Sequence, residues 1–142
     1  MRLLSLFGPD EITREHFKVI IHEIRQGQFK IGKQNFSFIE LPPANNHGLK
    51  FKFSKKIFAF TGDSDFHPEE INFLKDVDLA VIDSGHINDE EIIKLAVKTQ
   101  AKNVVCSHLY QELDEKKLNR QAKAEGYKGK LFVGYDLMKF DF

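Results

Sequence analysis

The sequence has one cysteine and no tryptophan among its 142 residues, and it has neither a net charge nor a long apolar run. The lone Cys106 excludes an intramolecular disulfide and a cysteine-based zinc finger, and it is typical of a reducing compartment, so we expect a cytoplasmic protein. No apolar stretch approaches the roughly 20 residues that cross a bilayer, and residues 1–7 are too short for a signal-peptide core, which predicts no membrane association. Lys plus Arg and Asp plus Glu both total 21, so there is no overall basic field, although a local basic patch is compatible with this balance.

The composition indicates a folded globular chain. Hydrophobic residues make up 42% and charged residues 30%, which excludes disorder as the main state. The length fits one domain, so we predict a single domain over residues 1–142. The 14 phenylalanines predict a Phe-rich core.

Hydrophobic periodicity predicts an antiparallel first part. A short apolar strand at 3–7 precedes a helix whose apolar residues recur from 12 to 24. Alternation at 36–41 predicts a half-buried strand that ends at Pro42, and 49–53 with 57–60 predict a β-pair joined at 54–56. The loop before this pair would hold His47, and the loop after it would hold Asp63.

Strands and helices alternate in the rest of the chain. Pro68 favours a helix start, Asn88 and Asp114 are good N-caps for two more helices, and Gly126 favours the end of the last one. Apolar runs at 78–82, 103–106 and 131–133 predict buried strands. The carboxy-terminal two-thirds is therefore predicted to be α/β.

Three of the predicted strands end in polar segments, which are Thr61-Gly62-Asp63-Ser64, Asp83-Ser84-Gly85-His86 and Ser107-His108. Ligand sites of α/β sheets lie beyond the carboxyl ends of strands, so we expect these side chains to converge. Imidazole and carboxylate groups suit Zn, Mn or Fe. Taken singly, each of these residues is more often a turn residue, a helix cap or a hydrogen-bonded histidine. His67 is explained by a helix start and Cys106 by a buried strand.

Read in order, several segments together resemble the later part of a metallo-β-lactamase-fold hydrolase, and most of all its ribonuclease Z-like branch. They are Phe7-Gly8-Pro9, His47-Gly48-Leu49-Lys50-Phe51, Phe60-Thr61-Gly62-Asp63-Ser64, Asp78-Leu79-Ala80-Val81-Ile82-Asp83, Gly85-His86, Val104-Val105-Cys106-Ser107-His108-Leu109-Tyr110 and Gly134-Tyr135-Asp136-Leu137-Met138. The resemblance implies a partial metallo-β-lactamase fold. It would be one mixed sheet with helices on one face, roughly the carboxy-terminal half of an αβ/βα sandwich.

The resemblance also implies roles for five residues. His47 would bind one metal, Asp63 would bridge two divalent ions, and His108 would bind the second. His86 would donate a proton or stabilise charge near the scissile phosphate, and Asp83 would orient its ring. The ions would be zinc, with Mn or Fe as alternatives, and the reaction would be metal-dependent phosphodiester hydrolysis.

One departure from the family changes these expectations. Such enzymes carry a His-x-His-x-Asp-His motif, and this sequence has none. Either metal would keep one terminal ligand plus Asp63, where zinc sites have three or four ligands, so we expect weak or absent metal binding and no activity in the isolated chain. The chain would be a fragment, half of a split enzyme, or a degenerate relative that serves as an inactive structural or interaction module.

The expected partners follow from this fold and function. The substrate would be RNA or a small phosphodiester. Lys50, Lys52, Lys55 and Lys56 alternate with Phe and could touch RNA, although such lysines are more often the solvated face of an edge strand. Because strands such as 57–60 are apolar on both faces, we expect a homodimer or a complementary chain to cover the helix-free face.

Overall fold

A computed structural model of the chain describes residues 26–43 and 46–141. The strand predicted at 3–7 and the helix predicted at 12–24 lie outside these residues. Seven strands form one sheet in sequence order, and they are β1 (Gly27–Ile31), β2 (Gln34–Leu41), β3 (Asn46–Phe53), β4 (Lys56–Phe60), β5 (Leu79–Asp83), β6 (Asn103–Ser107) and β7 (Lys130–Val133). Strands β1 to β4 are antiparallel, and β4 to β7 are parallel. The sheet is therefore mixed, as predicted.

Three helices connect the parallel strands, and they are α1 (Pro68–Phe73), α2 (Asp89–Thr99) and α3 (Glu115–Ala124). Each begins at a predicted signal. His67 caps α1 ahead of Pro68, Asn88 caps α2 in a reciprocal capping box with Glu91, and Asp114 caps α3. Each helix connects one parallel strand to its neighbour, always in the same direction across the sheet. Such connections are right-handed, so all three helices lie on one face of the sheet.

The core lies between this face and the helices. It contains alternate residues of the parallel strands, among them Ala80, Ile82, Val104 and Cys106, packed with residues of the helices such as Ile92 and Leu118. None of the fully buried core side chains in the described part of the chain is a phenylalanine. The prediction of a Phe-rich core was therefore wrong. In a strand that is apolar on both faces, a phenylalanine can point away from the helices as well as toward them.

Six phenylalanines lie instead on the helix-free face. Strand register aligns Phe36, Phe51 and Phe58 across three strands, and alternate residues share a face. The Phe29 and Phe36 rings stack at 5.0 Å, and the Phe51 ring stacks on Phe58 at 5.5 Å and on Phe60 at 6.1 Å. We call the row formed by Phe29, Phe36, Phe38, Phe51, Phe58 and Phe60 the aromatic row.

His47 lies in a strand and not in a loop, which corrects the prediction. It is the second residue of β3 and pairs with Glu40 of β2. Pro42 and Gly48 on either side predicted a loop, but pairing with β2 extends β3 back to Asn46. This pairing depends on a contact between two strands, which no local pattern in the sequence indicates.

Candidate active site

The candidate site lies at the carboxyl ends of β4, β5 and β6, as the position of the polar segments predicted. Asp63 follows β4, Asp83 ends β5, and His108 follows β6. The Nδ1 atom of His108 is 2.6 Å from Oδ1 of Asp63 and 3.5 Å from Oδ2 of Asp83. The Nδ1 atom of His86 is 2.7 Å from the same Asp83 oxygen. The structure thus brings four of the five predicted site residues into direct contact.

The Asp83 carboxylate is the fixed point of the site. It is buried, and it accepts hydrogen bonds from the backbone N–H groups of Ser64, Gly85 and His86 as well as the ring of His86. Its own N–H donates to the hydroxyl of the buried Thr61. These bonds connect the segment after β4 to the end of β5, so the carboxylate has one defined orientation.

His86 is held by Asp83 while its ring stays accessible. The hydrogen bond to the Asp83 carboxylate raises the pKa of His86 above its ordinary value. Because Nδ1 faces Asp83, the Nε2 edge is the part of the ring left to meet another molecule. The His86 side chain is 35% exposed, so another molecule can reach it.

Asp63 and His108 form a more open pair. The Asp63 side chain is 70% exposed and the His108 side chain 29%. His108 has a positive φ of 56°, a conformation that is costly for a non-glycine residue and often occurs at functional sites. It approaches residue 85 so closely that a Cβ there would lie 2.3 Å from the His108 carbonyl oxygen, which only glycine at this position allows.

His47 reaches the same edge of the sheet through its backbone. In the antiparallel β3–β4 pair, Leu49 opposes Phe60, so His47 lies beyond the end of β4. Its carbonyl oxygen is 3.3 Å from the position that a Cβ of Gly62 would occupy. The structure therefore places the His47 backbone beside the residue that precedes Asp63.

The sequence patterns did not identify Tyr110 as a site residue. Its ring contacts His86 edge-on at 5.3 Å and His108 at 4.7 Å, and it is 67% exposed. A buried Glu70 was also missed. It accepts a hydrogen bond from the Ser64 hydroxyl, and burial raises its pKa to about 7. Both contacts depend on the tertiary arrangement. The sequence indicates Tyr110 only through its position two residues after His108, in the segment Ser-His-Leu-Tyr.

Other polar residues have structural roles. The Nδ1 atom of His67 accepts from the Glu69 N–H at the start of α1, which agrees with the helix-start interpretation. Cys106 is buried in β6, and burial raises the pKa of its thiol to about 12. Such a thiol stays protonated and is a poor nucleophile.

A cavity of about 490 Å³ opens beside His108 on the helix-free face. Its floor is formed by Leu79, Val81 and Val105, and its wall includes Tyr135 and Met138 of the carboxy-terminal segment. This volume lies within the range of small-molecule sites. The predicted metal ligand His108 therefore borders a cavity with an apolar floor.

The donor set tests whether the residues present suit the implied metal. Imidazole and carboxylate are zinc-type ligands, and the ligand atoms of Asp83, His86 and His108 lie within 4.8 Å of one another. However, the Asp83 oxygens already accept four hydrogen bonds, so the open donors of the contacting group are Asp63, His108 and the Nε2 atom of His86. The types of donor fit a divalent ion. When His86 is kept for proton transfer, as the resemblance implies, Asp63 and His108 remain, and two ligands are fewer than the three or four protein ligands of zinc sites.

Comparison with solved structures shows the fold. The metallo-β-lactamase fold protein YhfI from Bacillus subtilis matches with a TM-score of 0.67 and 17% identity over 89% of this chain and 58% of that one. A diphosphatase of the PhnP family matches with a TM-score of 0.59 and 16% identity over 85% of this chain and 48% of that one. The chain has the metallo-β-lactamase fold, which confirms the predicted fold.

Sequence comparison connects the chain to a ribonuclease. Ribonuclease Z of Streptomyces coelicolor is 27% identical to it over 120 residues, which are 84% of this chain and 35% of that protein. No family model matches the chain. The chain thus spans about a third of the length of this curated relative and about half of the solved structures. None of the described helices is long and apolar enough to cross a membrane.

Proposed function

We propose that this chain carries part of the active site of a metal-dependent phosphodiester hydrolase. The observation that supports this most strongly is the placement of Asp63–His108 and Asp83–His86 side by side at one sheet edge. Resemblance to ribonuclease Z supports a phosphodiester substrate, either RNA or a smaller compound. We further propose that all of residues 1–142 belong to one domain.

In this proposal Asp63 and His108 would hold one divalent ion, and His47 of β3 would be a ligand of the other. The ions of such a site lower the pKa of a bound water, which supplies hydroxide at neutral pH. Zinc suits this donor set, and Mn or Fe are the alternatives. A second ion would share the Asp63 carboxylate.

The chain's own residues would handle the proton of the leaving group. Asp83 fixes the ring of His86 through Nδ1, so Nε2 can hold a proton at the accessible edge of the ring. Three backbone N–H groups keep the Asp83 carboxylate from turning. His86 would therefore donate a proton to the leaving oxygen from a fixed position, with Asp83 as its positioning residue.

The ligand set must be completed from outside the described residues. We propose that a complementary polypeptide segment supplies the missing ligands and covers the helix-free face. A homodimer could cover that face but would not add ligand types that both copies lack. The partial coverage of ribonuclease Z and of the solved structures supports this proposal.

A second candidate function is an inactive structural or interaction module. The small number of open ligands among the described residues favours it, together with an exposed apolar face that suits a protein partner. Metal binding separates the two candidates, because a module needs no ion.

The test measures zinc binding by calorimetry and hydrolysis of an RNA dinucleotide by the full chain together with a segment that carries the His-x-His-x-Asp-His motif, with His86→Gln as the variant. If the proposal is right, the complemented chain binds zinc, and its hydrolysis with zinc falls about a hundredfold or more in the variant, because the alkoxide that leaves a dinucleotide needs a proton. His67→Asn, which keeps a good helix cap, is the matched control and should behave as the native chain. Absence of both zinc binding and hydrolysis, alone and with a complementing segment, would favour the inactive module.

A further inference from the structure

A basic groove lies along the outer side of strand β7, and none of the candidate-site residues lines it. It lies between α3 and the edge strand β7 and has a volume of about 540 Å³. Its lining is Glu115, Lys116, Asn119, Arg120, Lys123 and Lys130. Four of these six residues are cationic, although the chain as a whole carries no net charge.

The cations form a stripe because of helical spacing. Lys116, Arg120 and Lys123 are four and three residues apart, so they lie on one face of α3. None of these three residues, nor Lys130, forms an ion pair with an acid in the described ranges. The neighbouring Lys117 differs, since its Nζ atom is 2.8 Å from Asp89. The positive charges of this stripe are therefore not neutralised by acids of the described ranges and are available to bind an anionic molecule.

The polar groups of the groove floor are already occupied by the protein. The Asn119 side chain accepts from the Leu131 N–H and donates to the Leu131 carbonyl, and Glu115 accepts from the Val133 N–H. Lys130 lies over the Phe132 ring at 4.4 Å. The groove thus offers positive charge but few free hydrogen-bonding groups that could contact a nucleobase. Such a surface suits binding to the phosphate backbone of a nucleic acid.

The groove begins at the edge that holds the candidate site. Glu115 at the start of α3 contacts Val133 at the carboxyl end of β7, and Lys130 lies at the opposite end of that strand. From Lys116 to Lys123 the helix rises about 10 Å, which matches about three phosphates of one strand of a duplex. A phosphodiester backbone in the groove would therefore extend toward the edge where His86 and His108 lie.

We propose that this groove binds the phosphodiester backbone of RNA and holds the substrate beside the candidate site. As an assignment of substrate class, it rests on the proposed function. Of the four lysines of the β3–β4 pair, Lys50 and Lys56 are less suited to this task because they already have partners within the chain. The Lys50 amino group donates to the Phe73 carbonyl, and Lys56 lies 3.6 Å from Asp78.

The experiment measures binding of the full chain to a fluorescein-labelled RNA hairpin by anisotropy, in EDTA, over a range of salt concentrations. The groove variant combines Lys116→Gln, Arg120→Gln and Lys123→Gln. A matched control with the same charge change combines Lys30→Gln, Lys33→Gln and Lys75→Gln, which are exposed residues outside the groove. Urea midpoints of both variants establish whether each is folded. Gln is a good helix former, so the three substitutions on α3 should leave the midpoint unchanged.

We expect the groove variant to bind about tenfold more weakly or worse, with a salt slope smaller by about 2 to 3, while the control keeps the native affinity and slope. Equal affinity of all three proteins, or equal losses in both variants, would overturn the proposal. So would preferential binding to phosphatidylserine vesicles that the groove variant abolishes, which would indicate a lipid surface site.

Because EDTA removes metal, this measurement is independent of hydrolysis. RNA binding through the groove without any phosphodiesterase activity, even with a complementing segment, would leave the RNA-binding inference standing and remove the proposed function. Hydrolysis of the RNA dinucleotide without binding of the RNA hairpin would do the reverse.

Discussion

Among single residues, Asp83 and Asp63 illustrate how two carboxylates in contact with one histidine differ in their burial. Asp83 is buried and accepts hydrogen bonds from three backbone N–H groups, whereas the Asp63 side chain is largely exposed and forms an ion pair with His108. Burial and hydrogen bonding indicate that Asp83 contributes to stability. Asp63 contributes little to stability, and this exposure is compatible with its proposed role as a ligand.

We expect Asp83→Asn to lower the free energy of unfolding by about 2 to 3 kcal/mol, because an amide turns one acceptor into a donor that faces N–H groups. Urea unfolding of the native chain and the variant measures this difference. Asp65→Asn is the control, since Asp65 is exposed and its substitution should change stability by about 0.5 kcal/mol or less. Equal stability of the two variants would contradict the structural role of Asp83.

We expect Asp63→Asn to abolish zinc binding while changing the free energy of unfolding by about 1 kcal/mol or less, since an exposed ion pair contributes little. Calorimetric titration with zinc and urea unfolding give the two readouts. A variant that still binds zinc like the native chain would remove Asp63 from the proposed ligand set.

Most of the site residues could be predicted because strand ends are visible in the sequence. Apolar runs before Asp63, Asp83 and His108 placed them at one sheet edge, and the resemblance to a known family implied the roles that we propose for them. Tyr110 and Glu70 could not be found in this way. The contact of Tyr110 with His86 joins the segments after two different strands, and the contact of Glu70 with Ser64 joins helix α1 to the segment after β4. No local periodicity predicts such contacts.

Among the helices and strands, the starts of the helices were the best predicted features, because an N-cap is an interaction between residues close in sequence. Asn88 and Asp114 cap the helices that they were expected to begin. The start of β3 was wrongly placed, since its pairing with β2 depends on a partner strand. Helix α1 also makes a contact that the sequence did not predict, between Glu70 in its first turn and Ser64 after β4.

This contact predicts a pH dependence of stability. Burial raises the pKa of Glu70 from 4.5 to about 7, with the charges of Asp83 and Glu91 adding to the shift. Between these values the folded state binds more protons than the unfolded state, so the free energy of unfolding falls as the pH rises from about 4.5 to 7 and levels off above.

The Glu70 carboxyl contributes at most about 3 kcal/mol to this decrease in the free energy of unfolding. Urea unfolding at about pH 5 and about pH 8 measures it, and comparison with Glu70→Gln isolates the contribution of this carboxyl from those of other groups. The difference between the two pH values should be smaller in the variant. An equal difference in both proteins would show that the Glu70 carboxyl is not responsible.

Helix α3 protects the edge strand β7 through Asn119, whose side chain occupies both the N–H and the carbonyl of Leu131. We expect Asn119→Ala to cost about 1 to 2 kcal/mol and to promote aggregation, because it frees an edge that can pair with another chain. Urea unfolding and light scattering during heating measure the two effects. Gln121→Ala on the exposed side of α3 is the control and should change neither.

For the whole molecule, the two faces of the sheet differ in what covers them. Three helices pack on one face. The other carries the aromatic row and the cavity beside His108, and Ile31 and Phe53 on that face are 63% and 62% exposed. An apolar sheet face of this kind is unfavourable in water, which is why a covering partner is part of the proposed function.

We expect the full chain to self-associate or to bind a hydrophobic dye through this face. Phe53→Glu introduces a charge at an exposed position there, so it should shift sedimentation toward the monomer and reduce dye fluorescence without lowering the urea midpoint. Gln121→Glu adds the same charge on α3 and should leave sedimentation and fluorescence unchanged. A native chain that sediments as a compact monomer and binds no dye would show that this face is already covered, and the proposed partner would then be needed only for the missing metal ligands.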